Sequence, residues 1–180
     1  ILFVGRLEKR KGLDYLLQAF KEIENKFSKV RLLVVGTGTK RGPNYKEIAN
    51  NLGLKNVVFC GHVSSEELPR YYCTADVFCA PATHGESFCI VLLEAMATAT
   101  PVVASNIPGY ASVLSHDDEG ILVEPQNAKA LEKALLKLLK DKPLRNKMGT
   151  IGKNKAIFYS WENISHQILD YYQQILTARQ

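Results

Sequence analysis

A chain of 180 residues, 46% hydrophobic and 23% charged, has the balance of one folded domain, which argues against a disordered chain. No apolar run approaches the ~20 residues of a bilayer-spanning helix. The net charge is +5, but its basic residues are not interleaved with aromatics and no recognition motif appears, which argues against nucleic acid as a partner.

The chain opens on Ile1-Leu2-Phe3-Val4, an apolar strand met in the middle. This predicts a further portion upstream, together with any targeting signal. Short, Val-rich strands are predicted at 1–5, 30–36, 56–60, 76–80 and 101–105, each followed by a turn signal. Between them lie amphipathic stretches at 12–27, 44–52, 65–74 and 87–98. In the first, Leu13, Leu16, Leu17, Phe20 and Ile23 recur at helical spacing. A short extended piece, 121–123, precedes a helical end. Asn127 caps a helix through Leu139, Pro143 opens another, and Ser160 caps a last one over Trp161 to Leu176. Alternation with continuously apolar strands predicts an α/β fold, a Rossmann-like parallel sheet with helices on both faces.

Two further features are read without reference to any site. Residues 126–180 carry ten Lys/Arg against four Asp/Glu, a balance of +6, whereas residues 1–125 balance at −1. This reads as a solvated basic face, with attraction to anionic lipid or a partner domain as the alternative. The cysteines at 60, 73, 79 and 89 form no C-x-x-C pair. Cys60, Cys79 and Cys89 lie in apolar sequence and read as small buried hydrophobes in a reducing compartment.

In open parallel sheets, ligands bind outside the carboxyl ends of the strands, so the loops after the strands carry the chemistry. The first is Gly5-Arg6-Leu7-Glu8-Lys9-Arg10-Lys11-Gly12. Gly5 permits a turn or close backbone approach, and Arg6 and Lys11 sit where a loop feeds a helix N-terminus. Together they would suit a diphosphate. Alone, the run is also that of a solvated basic loop. After the strand at 76–80 comes Gly85-Glu86-Ser87-Phe88-Cys89-Ile90-Val91-Leu92-Leu93-Glu94. Ser87 is the expected cap, placing the amides of Phe88, Cys89 and Ile90 at a helix N-terminus. Glu94 falls in an apolar run, either partnered or snorkelling to the exposed side. Eight helical residues rise about 12 Å, beyond the roughly 5–9.5 Å of a glycosidase carboxylate pair, so Glu86 and Glu94 suit two points along one extended ligand. A third loop, Gly36-Thr37-Gly38-Thr39-Lys40-Arg41-Gly42, imitates a dinucleotide fingerprint with its third glycine one place late.

Three segments resemble the C-terminal domain of the retaining GT-B glycosyltransferases of the group 1 family. They are G-R-L-x-x-x-K-G at 5–12, the E-x₇-E block from Glu86 to Glu94, and A-M-A-x-x-T-P-V-V-A-S at 95–105; A-D-V-F-C-A-P at 75–81 extends the match. The block around Gly85 to Ala97 is most similar to phosphatidyl-myo-inositol mannosyltransferases. The resemblance implies that Arg6 and Lys11 hold the donor's β-phosphate and that Glu86 contacts sugar hydroxyls beside His84, Gly85 and Ser87. It places the amides of Phe88, Cys89 and Ile90 on sugar and phosphate, and the ribose hydroxyls on Glu94. The backbone at His62-Val63 would meet the nucleobase, and Gly36 would line the cleft. Arg and Lys take the neutralising role of a metal, so no cofactor and no divalent ion is implied.

The implied function is that of a single donor-binding domain, 1–180, of a retaining hexosyltransferase. The expected donor is GDP-mannose and the acceptor an unidentified glycan or lipid. The final helix, about 160–178, would pack toward a missing N-terminal acceptor domain, and this chain alone would bind donor without transferring sugar. The implied location is cytoplasmic, with peripheral contact at the cytoplasmic face of a membrane as an option for the full-length protein. The alternatives are a nucleotide-sugar 2-epimerase of the same architecture and a non-catalytic nucleotide-sugar-binding module. Two positions depart from the family pattern. Cys89 and Ala99 stand where it commonly has glycine.

Overall fold

The computed structural model describes residues 1–39 and 42–178. Six strands run in chain order: β1 (Leu2–Val4), β2 (Leu32–Val35), β3 (Val57–Gly61), β4 (Phe78–Ala80), β5 (Val102–Ser105) and β6 (Gly120–Val123). They form one sheet in the order β3-β2-β1-β4-β5-β6, parallel at every pairing. Around it lie α1 (Leu13–Lys26), α2 (Tyr45–Asn51), α3 (Leu68–Thr74), α4 (Ile90–Ala97), α5 (Pro108–Ala111), α6 (Ala128–Lys140), α7 (Lys142–Ile157) and α8 (Trp161–Thr177). Every predicted strand is present, and the extended piece at 121–123 is a full edge strand. The one-turn α5 and a 3-10 turn at Lys9–Lys11 were not predicted, being too short to leave a periodicity.

Successive strand residues point to opposite faces, and the core divides accordingly. Phe3, Leu32, Val34, Cys79, Val103 and Ile121 pack under the apolar stripes of α1 and α6. Leu2, Val35, Phe78, Ala80, Val102 and Ala104 pack under Tyr72 of α3, Leu92 and Met96 of α4, and Tyr110 of α5. Both faces are covered, which is why the strands read as continuous apolar runs. Among the described residues no helix is long and apolar enough to cross a membrane.

The helix starts follow the side chains available. Asn127 Oδ1 accepts from the Ala130 amide at 2.9 Å, and Ser160 Oγ from Asn163 at 3.3 Å. At α7 the cap is Asp141, whose Oδ1 accepts from Leu144 at 2.8 Å, with Pro143 just inside. α8 buries none of its side chains, and Trp161 is 85% exposed. Of the three cysteines expected to be buried only Cys79 is; Cys60, near the end of edge strand β3, and Cys89, in the loop that leads into α4, are half-buried.

Both departures from the glycine pattern lie in left-handed backbone, Cys89 at φ 51° and Ala99 at φ 57°. Ala99 follows the C-cap of α4. Its amide donates to Met96 O and that of Thr100 to Ala95 O, each at 2.9 Å, the paired bonds that close a helix around a left-handed residue, usually glycine. The β-carbon there costs about 1–2 kcal/mol, and glycine's greater unfolded entropy about 0.5–1 kcal/mol. Ala99→Gly is therefore expected to raise stability by about 0.5–1 kcal/mol, read as a higher urea midpoint at unchanged slope. An unchanged or lower midpoint would show that the turn carries no such strain.

Candidate functional site

The strand order reverses between β1 and β4, and the loops leaving those two strands face each other across the switch point. They are 5–12 and 81–89. Gly12 is the hinge of the arrangement. It is buried, sits at φ 71°, and a β-carbon on it would overlap the carbonyl oxygen of Pro81. The Thr83 amide donates to Arg10 O at 2.8 Å and the Arg10 guanidinium to Gly85 O at 3.1 Å. Gly36 belongs to the same packing, because a β-carbon there would overlap the Gly5 carbonyl. A β-carbon on Gly5 would meet only side-chain atoms at ordinary contact distance, so the close packing of the two backbones is felt at Gly36.

Between the two loops lies a cluster of opposite charges. Glu86 Oε1 meets Arg10 Nη1 at 2.5 Å and Lys11 Nζ at 2.7 Å, with the Glu86 side chain only 8% exposed. Arg10 Nε meets Glu8 Oε2 at 3.0 Å. Burial pulls the Arg10 pKa down, but Glu86 and Glu8 outweigh it and the net shift is upward. Arg6 is placed differently from the sequence reading. It meets Glu8 at 3.0 Å and stands on the rim, 71% exposed. The structure therefore joins Lys11 and Glu86, leaves Arg6 at the edge, and adds Arg10, which sequence reasoning missed. Nothing in the run Arg6 to Lys11 distinguishes its cations; the 3-10 turn at Lys9–Lys11 decides which face inward. Three cations against two carboxylates leave this corner one positive charge in excess.

The approach to α4 also departs from expectation. The helix starts at Ile90, and its N-cap is Cys89 with no side-chain cap bond; Ser87 is exposed and caps nothing. The amides of Phe88 and Cys89 thus belong to the loop before the helix. The helical rise used to separate Glu86 from Glu94 also fails, since only 90–94 is helical. The loop is supported from below by α5, where a β-carbon on Gly109 would overlap the Glu86 carbonyl. Phe88 is 45% exposed and rests against Tyr159 with ring centroids 5.6 Å apart. Burial pushes the Cys89 thiol pKa up, so at neutral pH it is a thiol and not a nucleophilic thiolate.

Glu94, in the second turn of α4, is half-buried and accepts a hydrogen bond from Tyr72 Oη at 2.8 Å. It lines a cavity of about 290 Å³ with Ser65, Leu68 and Thr98. Gly36 lines another of about 620 Å³ with Leu7, Thr37, Phe59 and Gly61. His62 is exposed, and Val63 packs on the second core cluster. His84 is exposed, its Nδ1 2.8 Å from Thr83 Oγ1. The dinucleotide-like loop is unlike the fingerprint it imitates, because the next helix opens only at Tyr45, capped by Asn44; Lys40 and Arg41 of that run lie outside the described residues. Among the described residues no three His, Cys, Asp or Glu side chains converge as a metal site.

Residues 1–155 match the model of the family described as glycosyl transferases group 1. The chain is 37% identical over 179 residues to a phosphatidyl-myo-inositol mannosyltransferase of Mycobacterium leprae, covering 99% of this chain and 47% of that protein. It is 37% identical over 182 residues to a D-inositol 3-phosphate glycosyltransferase of Corynebacterium urealyticum, covering 97% and 43%. Among solved structures, a sucrose-phosphate synthase from Thermosynechococcus elongatus superposes with a TM-score of 0.87 at 31% identity, covering 98% of this chain and 45% of that one. The chain spans about half the length of the relatives it matches.

Proposed function

The chain belongs to the group 1 glycosyl transferases, and we propose that within that family it is the half that holds an activated sugar donor. The supporting observation is the Arg10–Lys11–Glu86 cluster at the switch point of a parallel sheet. Transfer of a glycosyl group leaves a nucleoside diphosphate carrying the charge of the broken bond, and preorganised cations stabilise that charge most where water is scarce. In this reading Lys11 and Arg10, with Arg6 drawn in from the rim, neutralise the leaving diphosphate without a metal. Glu86 shares its carboxylate between those cations and the sugar hydroxyls, and Glu94 accepts from the ribose. The donor is a hexose nucleotide, with GDP-mannose the leading candidate from the mannosyltransferase likeness. The sugar passes with retention to a glycan or lipid acceptor oriented by the remainder of the longer protein. Acceptor orientation supplies much of the rate, so this chain alone binds donor and transfers nothing.

The test is a thermal-shift panel of GDP-mannose, UDP-glucose, UDP-GlcNAc and ADP-glucose, run with EDTA and repeated at raised salt. A ligand that binds only the folded chain stabilises it by about 2.7 kcal/mol at a hundred times its Kd. The expected result is a shift with one donor, retained in EDTA and reduced by salt, since screening weakens the cation contacts. No shift with any donor, or a shift that appears only with Mg²⁺, would overturn the reading.

A further inference from the structure

Glu94 is placed by a phenol from a neighbouring helix. Tyr72 is 1% exposed and packs edge-on against Phe78, ring centroids 5.4 Å apart at 65°. Its backbone carbonyl accepts from Thr100 Oγ1 at 2.8 Å. Thr100 Oγ1 lies 3.0 Å from Thr98 Oγ1, and Thr98 donates back to Ala95 O at 2.8 Å. Ring and backbone are thus fixed between α3, β4 and the end of α4, and the hydroxyl emerges from this setting onto Glu94 Oε2 at 2.8 Å. A buried phenol needs one acceptor, and a backbone carbonyl would have served. Here the acceptor is a carboxylate at the wall of a cavity of about 290 Å³. Among the described residues Tyr72 is its only side-chain donor. A carboxylate has about four lone-pair positions; one is taken and the rest are free for a ligand. A vicinal diol brings two O–H donors, which the remaining positions can accommodate.

We propose that Tyr72 is a positioning residue for donor recognition: its hydroxyl holds the Glu94 carboxylate in the orientation that receives the two ribose hydroxyls of a bound nucleotide. The proposal rests on the reading of Glu94 as the ribose acceptor. Burial first, and then Glu94 itself, pushes the Tyr72 pKa well above the ordinary phenol value, so the hydroxyl stays a donor at any working pH.

The experiment measures calorimetric affinities of GDP and UDP, each beside its 2′,3′-dideoxy counterpart, for the unaltered chain, Tyr72→Phe, Glu94→Gln and the double variant. Each ribose-to-dideoxy ratio is taken on one protein preparation, so partial loss of folded protein cancels. Glu94→Gln should weaken the ribose ligands by about 10- to 100-fold and leave the dideoxy ligands within about 2-fold. Tyr72→Phe should lower the same ratio by about 3- to 10-fold, and the double variant should fall no further than Glu94→Gln, since both act through one contact. Thr100→Val, which loosens the Tyr72 backbone but keeps the phenol, should lower the melting temperature without moving the ratio. If Glu94→Gln weakens both ligand types alike, the ribose reading of Glu94 fails, and this inference with it. If Glu94→Gln is ribose-selective while Tyr72→Phe leaves the ratio unchanged, Tyr72 is structural and only this inference is overturned.

Discussion

Lys11→Met is expected to weaken nucleoside diphosphate binding by about 10- to 100-fold at low salt while leaving the fold nearly as stable as before. The two effects separate because of how the cluster is shared. Lys11 and Arg10 both meet Glu86 Oε1, at 2.7 and 2.5 Å. Removing the ammonium therefore leaves the carboxylate paired with the guanidinium, and no buried charge is orphaned. Methionine keeps most of the aliphatic stem, so packing around the 16% exposed side chain is largely preserved. What is lost is a charge-assisted contact to the ligand, worth roughly 1.5–3 kcal/mol. The same substitution in a rim cation that merely sits in solvent would cost less than about 1 kcal/mol. Titration calorimetry against GDP and UDP at two salt concentrations, with urea melts alongside, reads both quantities. Unaltered affinity would remove Lys11 from the phosphate site, and a large loss of stability would show that it holds the fold.

Gly12→Ala is expected to cost about 3–5 kcal/mol of stability, because two penalties coincide at one residue. Gly12 lies at φ 71°, where a β-carbon is strained, and that carbon would also overlap the Pro81 carbonyl oxygen. Backbone cannot rotate out of the way as a side chain does, so either the 5–12 loop or the 81–89 loop must move. Gly53 supplies the control. It has nearly the same φ, 72°, with nothing within 4 Å of an added β-carbon, so Gly53→Ala should cost only about 1 kcal/mol. The difference between the two denaturation midpoints isolates the contact between the loops. The displaced loops carry Lys11 and Glu86, so Gly12→Ala should also depress nucleotide binding, whereas Gly53→Ala should not. Equal losses at the two positions would mean that the loops are not locked through Gly12.

The sequence by itself determined the architecture and its direction. Val-rich runs separated by amphipathic stretches leave a parallel sheet covered on both faces as the arrangement that buries every strand. The helix caps at Asn127 and Ser160 were legible because capping is local, one side chain reaching an amide three residues on. That Cys89 and Ala99 replace the glycines of the family pattern was legible, but that both lie in left-handed backbone came from the structure. That Lys11 and Glu86 lie in loops leaving strand ends was also legible, because those loops follow directly from the predicted strands. What only the tertiary structure decided was which partner each side chain finds. Arg10 and Lys11 face inward from the 3-10 turn at Lys9–Lys11, while Arg6 lies before that turn and stands on the rim, and a single turn of three residues leaves no pattern to read. Ser87 does not cap α4, since α5 and Gly109 hold the preceding loop from below and delay the helix to Ile90. Tyr72 reaches Glu94 across 22 positions of sequence. Such pairings are settled by packing between elements, whose geometry depends on all the buried residues at once, whereas strands, caps and turns depend on a few neighbours along the chain.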